Sequence, residues 1–159
     1  MNEAYALHYD TAFLPPTVEY VEKKAKEASA PVYNYLFNLV FDVDGGKAAW
    51  HCSDIPYFFH NGEMVPVCHQ EAGDMLDQVM SGAFVNFART GNPNCPGLPQ
   101  WEPCSEGKLV TMEFGPTCAA KVNLHQELLP LVLQYQPPFT PACPASEDDD
   151  EGSGNAWVF

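Results

Sequence analysis

The sequence predicts an α/β fold whose sheet is not completed within its 159 residues. Three features carry that expectation. The run Val32–Phe41 (VYNYLFNLVF) is apolar at nearly every position rather than alternating, as in a central parallel strand covered on both faces. The segment Glu71–Thr90 sets Leu76, Val79, Met80, Ala83, Phe84 and Phe87 at helical spacing, which makes an inward stripe. Against these stands a single further strand candidate, Leu109–Phe114, although a parallel strand needs neighbours on its edges. The chain therefore reads as the end of a larger domain, with Met1 expected to mark a truncation or an internal start.

Taken in order, Pro15 and Pro16 precede a first helix over 17–28, with Thr17 as its cap and Val18, Val21, Ala25 and Ala28 on one face. Pro31 ends it. The apolar run 32–41 follows, then a loop at Asp42–Gly46 (DVDGG) with turn chemistry. After a polar, proline-containing loop comes the long helix, stopped by Gly91-Asn92-Pro93-Asn94. The short strand 109–114 is next. Asn123 and Gln126 have capping-box spacing ahead of a helix over 124–133, which Pro130 must kink or shorten. Residues 1–135 are expected to form the ordered segment, and 136–159 a Pro-rich acidic tail with little order.

Composition narrows the function classes. A formal net charge of -14 with only seven basic residues excludes a nucleic-acid or anionic-membrane surface, because phosphate binding needs clustered cations. Lys23-Lys24-Ala25-Lys26 is interleaved with glutamates, and Glu147–Glu151 (EDDDE) is read as solvated tail. No apolar run has the length of a membrane span, and the N-terminus lacks the basic start and apolar middle of a secretory signal. The six cysteines are then expected as free thiols and the compartment as cytoplasmic.

One stretch is dense in reactive side chains: Ala48–Asn61, AAWHCSDIPYFFHN, with Cys68-His69 soon after. A metal site is one reading, since His51, Cys52, His60, Cys68 and His69 are all able zinc ligands. Their spacing does not repeat in the paired manner of structural zinc sites, and no metal or other cofactor is expected. An autonomous nucleophilic site is the second. Thiol and imidazole adjacent in sequence seldom form a nucleophile–base pair, and none of the six serines sits in a Gly-x-Ser-x-Gly elbow. The third reading makes His51 the base of a triad whose other members lie elsewhere in the sheet. A plain loop histidine is the bland alternative.

Five motifs in sequence order resemble the type-B carboxylesterase and cholinesterase family. They are Tyr9–Pro15 (YDTAFLP), Pro31–Phe37 (PVYNYLF), Trp50–Phe59 (WHCSDIPYFF), Phe87–Asn94 (FARTGNPN) and Trp101. The likeness covers about residues 5–133. It implies the C-terminal portion of an α/β-hydrolase fold: a late parallel strand, the loop of the catalytic histidine and C-terminal helices. It matches His51 to the family's catalytic histidine. Cys52 stands where the family usually has glycine, which narrows the room beside the imidazole. Asp54 matches the acid three residues on, expected as a partner for backbone donors rather than the triad acid. Trp50 and the aromatics after Pro56 are expected in the pocket wall. Asp42 and Asp44 match nothing catalytic.

The activity so implied is hydrolysis of carboxylic esters through an acyl-enzyme by serine, histidine and glutamate. This chain would contribute the histidine, without nucleophile or triad acid, and would be inactive alone. A small-molecule ester is then the expected partner once an N-terminal part completes the site. The alternative is a non-catalytic module that associates with itself or with an N-terminal partner chain.

Overall fold

The computed structural model describes residues 10–135, so the expectation for 136–159 lies outside the described residues. Helix α1, Leu14–Glu27, begins three residues before the expected Thr17 cap. The two prolines account for this. They lack an N–H, and the first turn of a helix is where none is needed. The Thr17 N–H already donates to the Phe13 carbonyl at 3.1 Å, inside the helix ladder. The predicted face holds, with Val21 buried and Val18, Ala25 and Ala28 half-buried.

The apolar run after α1 is two strands rather than one. Strand β1, Asn34–Phe37, pairs in parallel with β4, Val110–Phe114, in the register Asn34 to Thr111 through Phe37 to Phe114. The chain then bends at Asn38, whose side chain reaches Glu113 at 3.2 Å. Strands β2, Val40–Phe41, and β3, Lys47–Ala48, form a separate antiparallel ribbon around the DVDGG turn. Beyond the bend the burial alternates: Leu39 and Phe41 are buried and Val40 is exposed. Continuous apolarity here reflects two short elements facing different ways, not one doubly covered strand.

The sheet order is β1-β4-β5, where β5 is Ala119–Val122, antiparallel to β4. The sequence reading missed β5, whose AAKV composition has weak strand preference. Among the described residues β4 is central and β1, paired in parallel with it, is an edge, which agrees with the expected incomplete sheet. Burial along β4 is nearly complete.

After β3, a short helix α2, Ile55–Phe58, and two 3₁₀ turns lead to α3, Gly73–Thr90. A Cβ on Gly73 would lie 2.1 Å from the Cys68 carbonyl oxygen, so the entry to α3 requires glycine at that close approach. Gly91 ends the helix with φ 73°, and its N–H donates to Phe87 at 2.8 Å. Leu76, Val79, Met80 and Ala83 turn inward, yet Phe84 and Phe87 remain exposed, so the inward stripe stops short of its predicted end. Leu39, Phe41, Tyr57, Leu76, Met80, Met112 and Phe114 fill the core between α3 and the sheet. Each such burial contributes about 1.5–3 kcal/mol.

The last helix, α4, spans Leu128–Tyr135 and starts later than expected. Asn123 serves another purpose: its side-chain oxygen accepts the Leu109 N–H at 2.9 Å, joining the ends of the β4–β5 hairpin. Pro130 then falls in the first turn, where it is tolerated.

Candidate active-site loop

His51 lies between the β2–β3 ribbon and α2, on a turn anchored at both ends. The Ser53 N–H donates to the Trp50 carbonyl at 3.0 Å, and the Trp50 N–H donates back to the Ser53 hydroxyl at 3.1 Å. Ser53 is buried, so these bonds are shielded from water. The Trp50 ring packs on Phe41 at 4.5 Å between centroids, and the Lys47 ammonium sits 4.5 Å from the same ring. Trp50 thus ties the turn to the core.

Residues 50–53 form a four-residue turn with its positive φ at the third position, 68° at Cys52. That is the type II arrangement, in which glycine is the favoured residue. Three other non-glycine residues described here have positive φ: Asp44, His60 and Asn123. Their residue types tolerate it; cysteine does so less readily. His51 takes the first corner of the turn, with its side chain exposed and without a hydrogen-bond partner among the described residues.

Asp54 follows at the start of α2. It makes no side-chain cap there and instead accepts the Tyr35 hydroxyl at 2.9 Å, joining the loop to β1. The expected backbone donors are therefore replaced by a phenol from the sheet. Asp42 and Asp44 are exposed in the ribbon turn. Gln70 clamps that ribbon, accepting from the Asp42 N–H at 3.0 Å and donating to the Val40 carbonyl at 3.3 Å.

The five candidate metal donors are not brought together. His60 pairs through Nδ1 with Asp77 of α3 at 2.5 Å, while the other Asp77 oxygen accepts the Gly62 N–H at 3.1 Å. His69 Nε2 lies 2.9 Å from the Glu63 carbonyl, so that contact requires the Nε2-protonated form. Cys68 is buried, and burial pushes its thiol pKa up. No group of three or more His, Cys, Asp or Glu able to hold a metal ion occurs among the described residues. Among the described residues the cysteines at 52, 68, 95, 104 and 118 are free thiols. No helix among the described residues is long and apolar enough to cross a membrane.

Sequence reasoning missed Ser53 and Tyr35. A serine three residues after the first turn residue is a local signal for the former; the latter depends on the parallel pairing of β1 and has no local signal.

The order of parts, a parallel strand, a ribbon, the histidine turn and a long helix, can be set against known proteins. A sequence model described as "Carboxylesterase family" matches residues 1–129. The chain belongs to the carboxylesterase family. Among curated relatives, the bile salt-activated lipase of Mus musculus is 28% identical over 166 residues, covering 92% of this chain and 27% of the lipase. The Bos taurus bile salt-activated lipase is 30% identical over 92 residues, covering 55% of this chain and 15% of its own.

Among solved structures, an esterase from anaerobic Clostridium hathewayi that hydrolyses aliphatic aromatic polyesters superposes with TM-score 0.72 at 37% identity. That match covers 81% of this chain and 28% of the esterase. A PNB esterase superposes with TM-score 0.67 at 21% identity, covering 80% and 26% respectively. These neighbours place the described residues in an α/β-hydrolase fold. The chain spans little more than a quarter of the length of the mouse lipase and the Clostridium esterase.

Proposed function

We propose that His51 is the general base of a serine-type carboxylic-ester hydrolase. In this reading the nucleophile, oxyanion donors and triad acid come from sequence outside these 159 residues. The supporting observation is the His51 turn: an exposed imidazole on a corner fixed by the Trp50–Ser53 bonds, in a chain of the carboxylesterase family. The turn fixes the backbone of the base while both ring nitrogens stay open to residues from elsewhere, which would orient the imidazole.

The chemistry follows from that placement. A serine oxygen adds to the ester carbonyl as its proton passes to a ring nitrogen of His51. The other ring N–H donates to an acid that holds the tautomer. As the tetrahedral intermediate collapses, the proton moves from His51 to the leaving alcohol, and an acyl-serine remains. Water then repeats the sequence and releases the carboxylic acid. Trp50 contributes to the pocket wall beside the imidazole, and Cys52 fills space that glycine would leave open.

No serine of this chain has glycines two residues before and after it, so the pure chain is expected to be inactive. Turnover of a p-nitrophenyl ester by pure, sequence-verified protein, abolished by His51→Ala, would refute this division of labour. The second reading is a non-catalytic hydrolase-like module acting through association, and it draws on the exposed aromatic residues beside β1. A coding frame upstream of Met1 that supplies an elbow serine would favour the esterase; a stop codon and a ribosome-binding site there would favour the module.

A further inference from the structure

Asn61-Gly62 is the one Asn-Gly pair in the 159 residues. In such a pair glycine puts no side chain beside its own nitrogen, so that nitrogen can attack the asparagine side-chain amide and close a cyclic imide. Here the pair opens the 3₁₀ turn Gly62–Met64 between α2 and α3, with Asn61 exposed and Gly62 buried.

Two features hold the pair out of that reaction. The Gly62 N–H donates to Asp77 Oδ1 at 3.1 Å, while Asp77 Oδ2 holds His60 Nδ1 at 2.5 Å. An N–H that donates to a carboxylate resists losing its proton, and the attack requires that loss. The second feature is the Asn61 backbone. Its ψ of 22° turns the Gly62 nitrogen towards the nitrogen of Asn61 and away from the Asn61 Cβ, whereas ring closure needs it on the Cβ side. Reaching that side takes a rotation about ψ, a soft torsion in itself, but one that the turn restrains. Asn61 donates its N–H to the Pro56 carbonyl at 3.0 Å, and its carbonyl accepts the Met64 N–H at 3.0 Å. The same clasp favours the reactive residue type, because a Cβ at position 62 would crowd Asp77 Oδ1 at 3.0 Å.

We propose that Asn61-Gly62 is a deamidation site gated by the Asp77 clasp. With the clasp closed the pair is protected. When the segment opens locally, the Gly62 nitrogen bonds to Asn61 Cγ, the Cγ–Nδ2 bond breaks, and ammonia leaves with the proton taken from Gly62. Water then adds at either carbonyl of the succinimide and leaves aspartate or isoaspartate at position 61. Both products place a new carboxylate next to the residue that Asp77 holds, and isoaspartate also adds a methylene to the backbone where the 3₁₀ turn begins. Like charges disfavour reclosure, so the modified segment stays looser between the His51 turn and α3.

The test follows the full chain at neutral pH by peptide mass mapping that separates aspartate from isoaspartate. A synthetic peptide of residues 57–66 supplies the rate of the open state. The folded chain should deamidate at Asn61 about tenfold or more slower than the peptide. Urea below the unfolding transition should raise the rate in step with amide exchange at Gly62. Asp77→Ala should bring the rate towards that of the peptide while circular dichroism stays native. Ser81→Ala should leave it unchanged, since that hydroxyl bonds only to backbone carbonyls of α3. A folded chain that deamidates as fast as the peptide overturns the proposal. A faster rate does so too, and would make Asp77 a base that promotes the attack. A folded Asp77→Ala chain with the original rate is equally contrary. If Asp77→Ala unfolds, the urea series decides: deamidation that ignores Gly62 exchange contradicts the gate.

Discussion

The core beneath α3 and the turn that carries His51 lie in one small fold but are stabilised in different ways. Under α3, Leu76, Met80, Met112 and Phe114 are fully enclosed by residues of this chain. At the turn, His51 and Cys52 are exposed, the backbone at Cys52 is in the left-handed region, and two hydrogen bonds through Ser53 hold the corner. These core residues are enclosed by the chain itself, whereas the turn presents an imidazole that, in the proposed reading, acts only when other groups meet it. Stability and function should therefore respond to different substitutions.

The largest expected effect lies in the core. Phe114→Ala should cost about 3–5 kcal/mol in urea unfolding, because the ring is fully buried and the sheet beneath it cannot collapse to fill the space. His51→Ala should change stability by less than about 0.5 kcal/mol. Equal losses at the two sites would break the comparison. Thiol reactivity should divide the same way. Cys68, Cys95, Cys104 and Cys118 all have pKa values raised chiefly by burial, while Cys52 is exposed. Iodoacetamide near neutral pH should label Cys52 about tenfold or more faster than those four, read peptide by peptide in a mass spectrometer.

Relieving the strained corner should give a smaller effect of opposite sign. Cys52→Gly is expected to stabilise the chain by about 0.5–1 kcal/mol, the relief of positive φ exceeding the added freedom of the unfolded chain. A loss on this substitution would show that the thiol's packing, not the backbone, decides the site. The smallest effect concerns His125, whose pKa is lowered by burial, with Asp10 and Glu113 opposing. Below an unfolded value of 6.5 the unfolded chain takes up a proton that the folded chain resists, so stability is lost as pH falls towards the folded value. His125→Gln should flatten that decline, measured as urea midpoints across the range.

Much of this was readable from sequence where one local rule decided the outcome. The stripe Leu76-Val79-Met80-Ala83 specifies a helix on its own, and the run ending at Phe114 specifies a short strand, whose burial the structure adds. Where outcomes depended on distant partners, local pattern misled. The break between β1 and β2 falls at Asn38, which bonds to Glu113 and Phe114 some 75 residues away, so VYNYLFNLVF looked like one strand. Strand β5 exists because β4 offers an edge, not because AAKV favours extension. The site divides along the same line. His51 stood out through its neighbours in sequence, and the glycine-like demand at Cys52 became visible as a positive φ. The Tyr35–Asp54 bond needed the fold, since it spans strand and helix.

The most direct measurement is p-nitrophenyl ester hydrolysis by the chain, alone and co-expressed with the upstream part of an esterase of the same family. The account predicts no turnover by the chain alone. With the upstream part present, it predicts turnover that falls by about a thousandfold or more on His51→Ala while the complex stays intact. Hydrolysis by the pure chain, or turnover in the complex that survives His51→Ala unchanged, would contradict it.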